Sequence, residues 1–296
     1  MTHPEIEAFL LAAKTGTITA AAEQLYVTQP ALSRRIHSLE AELGYPLLKR
    51  GRGVRAAELT EEGKAFLPLA EQYDALWREA RGLPGQAGRQ TLRLSSVGSV
   101  SNYLLPEVFS RFLAENPGCG VEFHHHHSLE AYGYVARGEV DMALISDDMF
   151  AREVQTIPLF REEMLLALSP GEKYDQADHP TALDGRDEIR LPWNPEYDLW
   201  HDFWFPAAVR PRVMLDQMPL LEYFLRRRDL WAVLPASAAR RMAAVPGLRF
   251  RRLKDGPPER FIYYLMRQQR LPEAAERFLT LLAEKLRQQE GVTCLL

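Results

Sequence analysis

Apolar side chains in the first eighty residues recur every three to four positions, the spacing of helices that bury one face. Residues 1–16 (MTHPEIEAFLLAAKTG) read as a surface helix with a buried stripe. Residues 17–25 (TITAAAEQL) predict a second helix, opened by Thr17 or Thr19 as N-cap and rich in closely packing alanines. Tyr26-Val27 leaves room only for a turn. Thr28 then caps a third helix, with Pro30 in its first turn, where a missing N–H does no harm. Thr60 caps a fourth, with Glu61 and Glu62 complementing its macrodipole. Phe66, Leu69, Tyr73, Leu76 and Trp77 make a coiled-coil-like seam along it, read as a dimer contact with core packing as the alternative. Pro68 predicts a kink there.

Beyond the Gly- and Pro-containing stretch at 82–88 the period changes. Strands are expected at 91–95, 121–124 and 140–145, separated by helices at 104–113 and 129–137. Residues 159–168 should cross into a second lobe holding strands at 212–215 and 230–234. The segment 261–266 and a helix from Pro272 to about Glu290 should return to the first. Strand–helix–strand repetition predicts an α/β open sheet. The expected domains are residues 1–59, a linker helix and hinge at 60–90, and a two-lobed unit at 91–296. Its first lobe comprises 91–160 and 266–296 and its second 161–265.

The third helix carries the most telling surface. At about 100° per residue from Gln29, Leu32, Ile36, Leu39 and Leu43 fall within roughly 280–340° and form one buried stripe. Gln29, Pro30, Ser33, Arg34 and His37 spread over roughly 0–140° and face outward, while Arg35 lies near 240°. A helix, a short turn and a second helix with this polar face suit insertion into the major groove of DNA. Gln29 can pair with adenine and Arg34 with guanine, leaving Arg35 for a phosphate or an intramolecular pair. Two short strands around Gly51-Arg52-Gly53 predict a wing, with Arg50, Arg52 and Arg55 along or in the minor groove.

Charge sharpens this reading. The chain of 296 residues has a net charge of −4, which argues against a nonspecific nucleic-acid coat. Yet residues 28–55 carry six basic side chains against two acidic ones. No apolar run is long enough to span a membrane, and the N-terminus lacks a basic, then apolar, export signal, so a cytoplasmic location is expected. Two cysteines, Cys119 and Cys294, offer no disulfide framework, and Cys119 in its Pro-Gly-Cys-Gly turn gives no ground for a redox switch. Nucleophile elbow, phosphate loop and dinucleotide fingerprint are all missing, so no enzymatic activity and no cofactor is expected.

Residues 9–63 resemble the winged helix-turn-helix of LysR-type transcriptional regulators. The matching positions are Ala20–Ala22, Gln29-Pro30-Ala31-Leu32-Ser33, Ile36, Leu39, Glu40, Leu43-Gly44 and Leu59-Thr60. The resemblance continues more weakly through the remaining chain. It implies a periplasmic-binding-protein-like α/β effector domain, dimerisation through the linker helix, often tetramers, and control of a promoter by a small-molecule co-inducer. Thr28 joins the expected DNA contacts.

For the effector, ligands of open α/β sheets gather at strand carboxyl ends near helix N-termini. Residues 97–101, with Gly98, Ser99 and Val100, occupy one such place, and His127-Ser128 another. The resemblance implies that Ser99 and Ser128 line the cleft. Ser146, Trp193, Asn194 and Gln217 complete the expected contacts. Hydroxyls and backbone N–H groups favour a carboxylate. Four of five tryptophans lie between 193 and 231, favouring a flat or apolar body, although the second lobe's core is the plainer use for most of them. Asp229-Leu230-Trp231 departs from the Gly-x-Gly usual in the family, and Trp231 is expected to fill space there. On a strand only two of His124–His127 can share a metal, so no metal site is expected, and His127 reads as a proton-sensitive effector ligand. A solute-binding protein is the alternative, but it leaves the first eighty residues unexplained.

Overall fold

The computed structural model describes residues 1–49, 57–82, 90–268 and 271–296. The chain divides into two compact units, one built on Met1–Gly88 and the other on Arg89–Leu296 apart from residues 137–139.

The first unit begins with α1 (His3–Thr15), where the Thr2 N–H donates to Glu5 Oε2 at 2.7 Å and Gly16 ends the helix at φ 72°. Helix α2 (Ile18–Gln24) takes Thr17 as its cap, whose hydroxyl accepts from the Ala20 N–H at 3.2 Å. Helix α3 (Gln29–Leu43) starts after Thr28, which occupies the N-cap position without a side-chain capping bond. Helix α4 (Glu61–Gly82) continues through Pro68. Thr60 Oγ1 accepts from the Gly63 N–H at 2.9 Å and donates to the Pro46 carbonyl at 2.7 Å, so one hydroxyl caps α4 and fastens it to the preceding turn. Ile6, Phe9, Ala21, Leu32, Ile36, Leu39, Leu47, Phe66 and Ala70 form the shared core. Leu48 bridges Leu59 in antiparallel sense, and the Lys49 N–H donates to Glu58 O at 2.8 Å.

The fourth helix corrects the expected seam. Phe66 is buried in the core, and Tyr73 and Trp77 stack with His3 of α1. Leu69 and Leu76, by contrast, are 57% and 60% exposed. The helix therefore has two apolar stripes, one closed by α1 and one open.

The second unit holds a six-stranded sheet. Its strands are β1 (Gln90–Ser96), β2 (Cys119–His125), β3 (Met142–Ile145), β4 (Val154–Glu162), β10 (Arg260–Arg267) and β11 (Val292–Cys294), in the order β11-β4-β10-β3-β1-β2. The first three are mutually parallel and β10 and β4 antiparallel, so the sheet is mixed. Helices α5 (Gly98–Tyr103), α6 (Leu105–Glu115), α7 (Ser128–Ala136) and α11 (Glu273–Arg287) accompany it.

The second lobe is built around β5 (Met164–Leu168), flanked by β8 (Trp231–Pro235) and β9 (Arg249–Arg251), all antiparallel. Short β6 (Ile189–Arg190) and β7 (Val213–Met214) pair in parallel beside α8 (Pro195–Trp204), α9 (Met218–Leu225) and α10 (Ala236–Met242). Its expected limits, 161 and 265, contract to the turns after Glu162 and before Arg260, because β4 and β10 stay paired until those two residues face each other. Trp231 is fully buried. Asp229 adopts φ 58°, a left-handed conformation that glycine reaches more easily.

Candidate functional site

Two surfaces carry the expected chemistry, one in each unit. On α3 the stripe Leu32, Ile36 and Leu39 is buried, which turns Thr28, Gln29, Pro30, Arg34 and His37 outward to exposed positions. Ser33 and Arg35 are half-buried. Neither arginine is held in an ion pair among the described residues, so both guanidinium groups are available. His37 Nδ1 lies 3.6 Å from Glu40 Oε2. Arg50, Arg52 and Arg55, expected on the wing, lie outside the described residues.

Glu40 supplies the support beneath this surface. It is a buried carboxylate, and Oε1 accepts from the N–H groups of Leu47 and Leu48 at 2.8 and 3.1 Å. Donors that enter no helix are thereby satisfied, and the chain after α3 is fixed to the helix that precedes it.

In the second unit a cavity of about 360 Å³ lies between the lobes. Gly98, Ser99, His127, Ser128, Ser146, Trp193 and Asn194 of the expected set line it. Two expected contacts do not. Val100 is buried in the first lobe's core, because the turn of α5 carries it inward. Gln217 occupies the N-cap position of α9 and is exposed, while its neighbours Asp216 and Met218 reach the lining.

The residue that organises the cavity is Arg260, which the sequence did not single out. Its Nη1 donates to Ser99 Oγ at 2.8 Å and its Nη2 to Glu162 Oε1 at 2.6 Å. The other Glu162 oxygen accepts from the Ser237 N–H at 3.0 Å. The guanidinium also lies 5.2 Å from the centroid of the Trp193 ring, whose Nε1 donates to the Val233 carbonyl at 2.7 Å. Ser99 is thus already an acceptor, and only its hydroxyl proton remains to be given. Ser128 is similar, its Oγ accepting from the Ser146 N–H at 3.4 Å. Asn194 spends its Oδ1 on capping α8, accepting from the Tyr197 N–H at 3.0 Å, which leaves its amide N–H groups. Helix α5 has only six residues, so its dipole adds little beside Ser99.

The aromatic cleft is narrower than expected. Trp193 alone among the second lobe's aromatics lines the cavity, while Trp200, Trp204 and Phe205 pack with that lobe's core and Phe203 is exposed. Along the histidine run the strand alternates: His125 and His127 line the cavity, His126 stacks on Tyr134, and His124 meets Glu122 at 3.0 Å. His125 was missed although it shares the face of His127. Asp147, Asp198 and Asp216 were missed as well, lying in loops or on a helix that carries no motif. The Tyr103 hydroxyl donates to the Met218 carbonyl at 3.0 Å and links α5 to α9 beside the cavity. Burial, helped by the charge of Glu222, pushes that phenol up to about 12.

Residues 4–64 match the bacterial regulatory helix-turn-helix of the lysR family, and residues 85–287 match the LysR substrate binding domain. The chain belongs to the LysR family. This LysR-family chain is 33% identical over 159 residues to a probable RuBisCO transcriptional regulator of Nostoc sp. PCC 7120, covering 52% of this chain and 47% of that one. It is 33% identical over 165 residues to the uncharacterized HTH-type transcriptional regulator YcgK of Bacillus subtilis, covering 54% and 50%. The chain spans about half the length of the curated relatives it matches. Its fold is similar to that of CbnR, a LysR family transcriptional regulator (TM-score 0.64, 21% identity, 96% and 99% coverage). A full-length OxyR variant from Pseudomonas aeruginosa is also similar (TM-score 0.62, 20% identity, 99% and 98% coverage). Among the described residues no helix is long and apolar enough to cross a membrane.

Proposed function

We propose that this chain is a DNA-binding transcriptional regulator that controls a promoter in response to a small carboxylate-bearing molecule. The observation that carries the reading is the exposed face of Gln29, Pro30, Arg34 and His37 on α3, directly after the turn from α2. A bare solute-binding module has no use for that face. CbnR, similar in fold, has been crystallised with its target DNA. In this reading residues 1–59 bind DNA, 60–90 join two copies through α4, and 91–296 receive the effector. The protein works in the cytoplasm as a dimer or tetramer, takes no cofactor and catalyses no reaction.

The effector cavity is the one lined by Ser99, Ser128 and Asn194. Hydroxyl donors from the first lobe and the Asn194 amide from the second suit a carboxylate, and Trp193 suits an apolar body. A ligand that prefers one conformation of the protein shifts its population by that preference alone, which is all that control of a promoter requires. Fragments of the host genome retained by the full chain test the reading. A few discrete promoter regions are expected, and retention without sequence preference would contradict it.

A further inference from the structure

The cavity holds unmet hydrogen-bonding capacity of two opposite kinds. The first kind is donors. Ser99 and Ser128 are each 5% exposed, and each oxygen already accepts a bond, so each hydroxyl proton lacks an acceptor among the described residues. Arg260 Nε is buried without a partner as well. The second kind is acceptors. Asp147 Oδ1 is buried with no hydrogen-bond partner, and Asp216 makes no hydrogen bond or ion pair among the described residues.

Charge distinguishes the two kinds further. Arg260 is paired with Glu162, and Asp198 with Arg190 at 3.0 Å, an arginine it shares with Asp202 at 3.6 Å. That leaves Asp147 and Asp216 as the unbalanced carboxylates of the lining, with His125 and His127 as its remaining ionisable groups. A simple carboxylate would satisfy the hydroxyls while adding a third like charge to a confined space. The buried, unpartnered oxygen of Asp147 is costly, and exposed Asp216 adds to the negative potential beside it, so a well-matched ligand brings a cation of its own.

The geometry points to an amino-carboxylate as the ligand of this cavity, its carboxylate taking the Ser99 and Ser128 hydroxyls and its ammonium lying at Asp147 and Asp216. Asp147 follows β3 in the first lobe and Asp216 precedes α9 in the second, so the ammonium would tie one lobe to the other. This inference rests on the effector-cavity reading above. A volume of about 360 Å³ accommodates a molecule of that class.

Calorimetric titration of the full chain tests it. The probes are the twenty common α-amino acids and the ω-amino acids of three to six carbons, each beside its des-amino carboxylate and its decarboxylated amine. At least one amino acid should bind tenfold or more tightly than both of its singly charged counterparts. Asp147→Asn and Asp216→Asn should each remove most of that preference while leaving the des-amino carboxylate bound as well as before or better. Asp216 is exposed, so its variant keeps the test open if Asp147→Asn fails to fold. Carboxylates that match or exceed the amino acids would overturn this inference and leave the effector cavity standing, provided that Ser99→Ala weakens them. Silence from all three probe classes would remove both.

Discussion

Arg260 and Glu162 face each other across β10 and β4 and close a 2.6 Å ion pair with side chains 2% and 0% exposed. They are the last sheet residues before the chain leaves for the second lobe and the first after it returns. Desolvating both groups is costly, and the pair survives because both Glu162 oxygens are bonded and Arg260 holds Ser99 in addition. Arg260→Met would strand a buried carboxylate and should destabilise the second unit by about 3–5 kcal/mol. Arg260→Met with Glu162→Gln should recover a large part of that loss. Urea unfolding followed by tryptophan fluorescence reads it, since four of the five tryptophans lie between 193 and 231. Equal losses in the single and double variants would show that the two residues are not coupled.

Glu40 has a comparable role in the first unit, as the shared acceptor for the Leu47 and Leu48 N–H groups. Glu40→Ala leaves two donors beneath the surface without a partner, at about 1–3 kcal/mol for each such group. Melting of the first unit should fall accordingly and DNA binding weaken with it, while Glu40→Gln, which keeps one acceptor oxygen, should lose less. Thermal unfolding of the three proteins side by side would settle the order.

The open stripe of α4 makes a separate prediction about assembly. Leu69 and Leu76 are exposed on the face that α1 does not cover. Replacing both with Asp should dissociate the protein and cost it DNA affinity by mass action, because two recognition helices would no longer meet half-sites about one helical turn, roughly 34 Å, apart. Since neither side chain is in the core, folding should be unaffected. A dimer that persisted in sedimentation after both changes would assign the seam elsewhere.

Alkaline pH should loosen the contact between α5 and α9. The Tyr103 phenol is held neutral by burial, its pKa pushed from 10.0 up to about 12. A pKa raised on folding stabilises the protein fully below pH 10 and loses that contribution as pH rises through 12. Stability should therefore decline across that interval, and Tyr103→Phe should flatten the decline at the cost of the bond to Met218. Urea midpoints taken at successive pH values would record the difference.

What the sequence disclosed depended on how local the signal was. The buried stripe of α3, the Thr17 and Thr60 caps and the parallel strands of the first lobe are periodic or contiguous and could be read directly. Spacing groups Phe66 with Leu69 and Leu76 on α4, yet Phe66 lies in the core and the leucines do not, because spacing gives the angle between side chains but not which neighbour covers them. Arg260 opens an apolar strand and gives no local hint of its partner, which lies 98 residues away. Asp147 and Asp216 stand in loops, and only the fold brings them to one cavity. The antiparallel sheet of the second lobe was hidden for the same reason, its strands pairing across long insertions.

If α3 reads DNA, its two adjacent arginines should do so in different ways. Arg34 is exposed on the outward face, whereas Arg35 is half-buried at its edge. Binding of Arg34→Ala and Arg35→Ala should be measured on a recovered genomic site and on a scrambled duplex at one salt concentration. Arg34→Ala should lose about 1–3 kcal/mol on the site and much less on scrambled DNA, relaxing specificity. Arg35→Ala should weaken both duplexes more evenly, as the loss of a phosphate contact does. Equal, sequence-independent losses for the two variants, or no loss for either, would contradict the account.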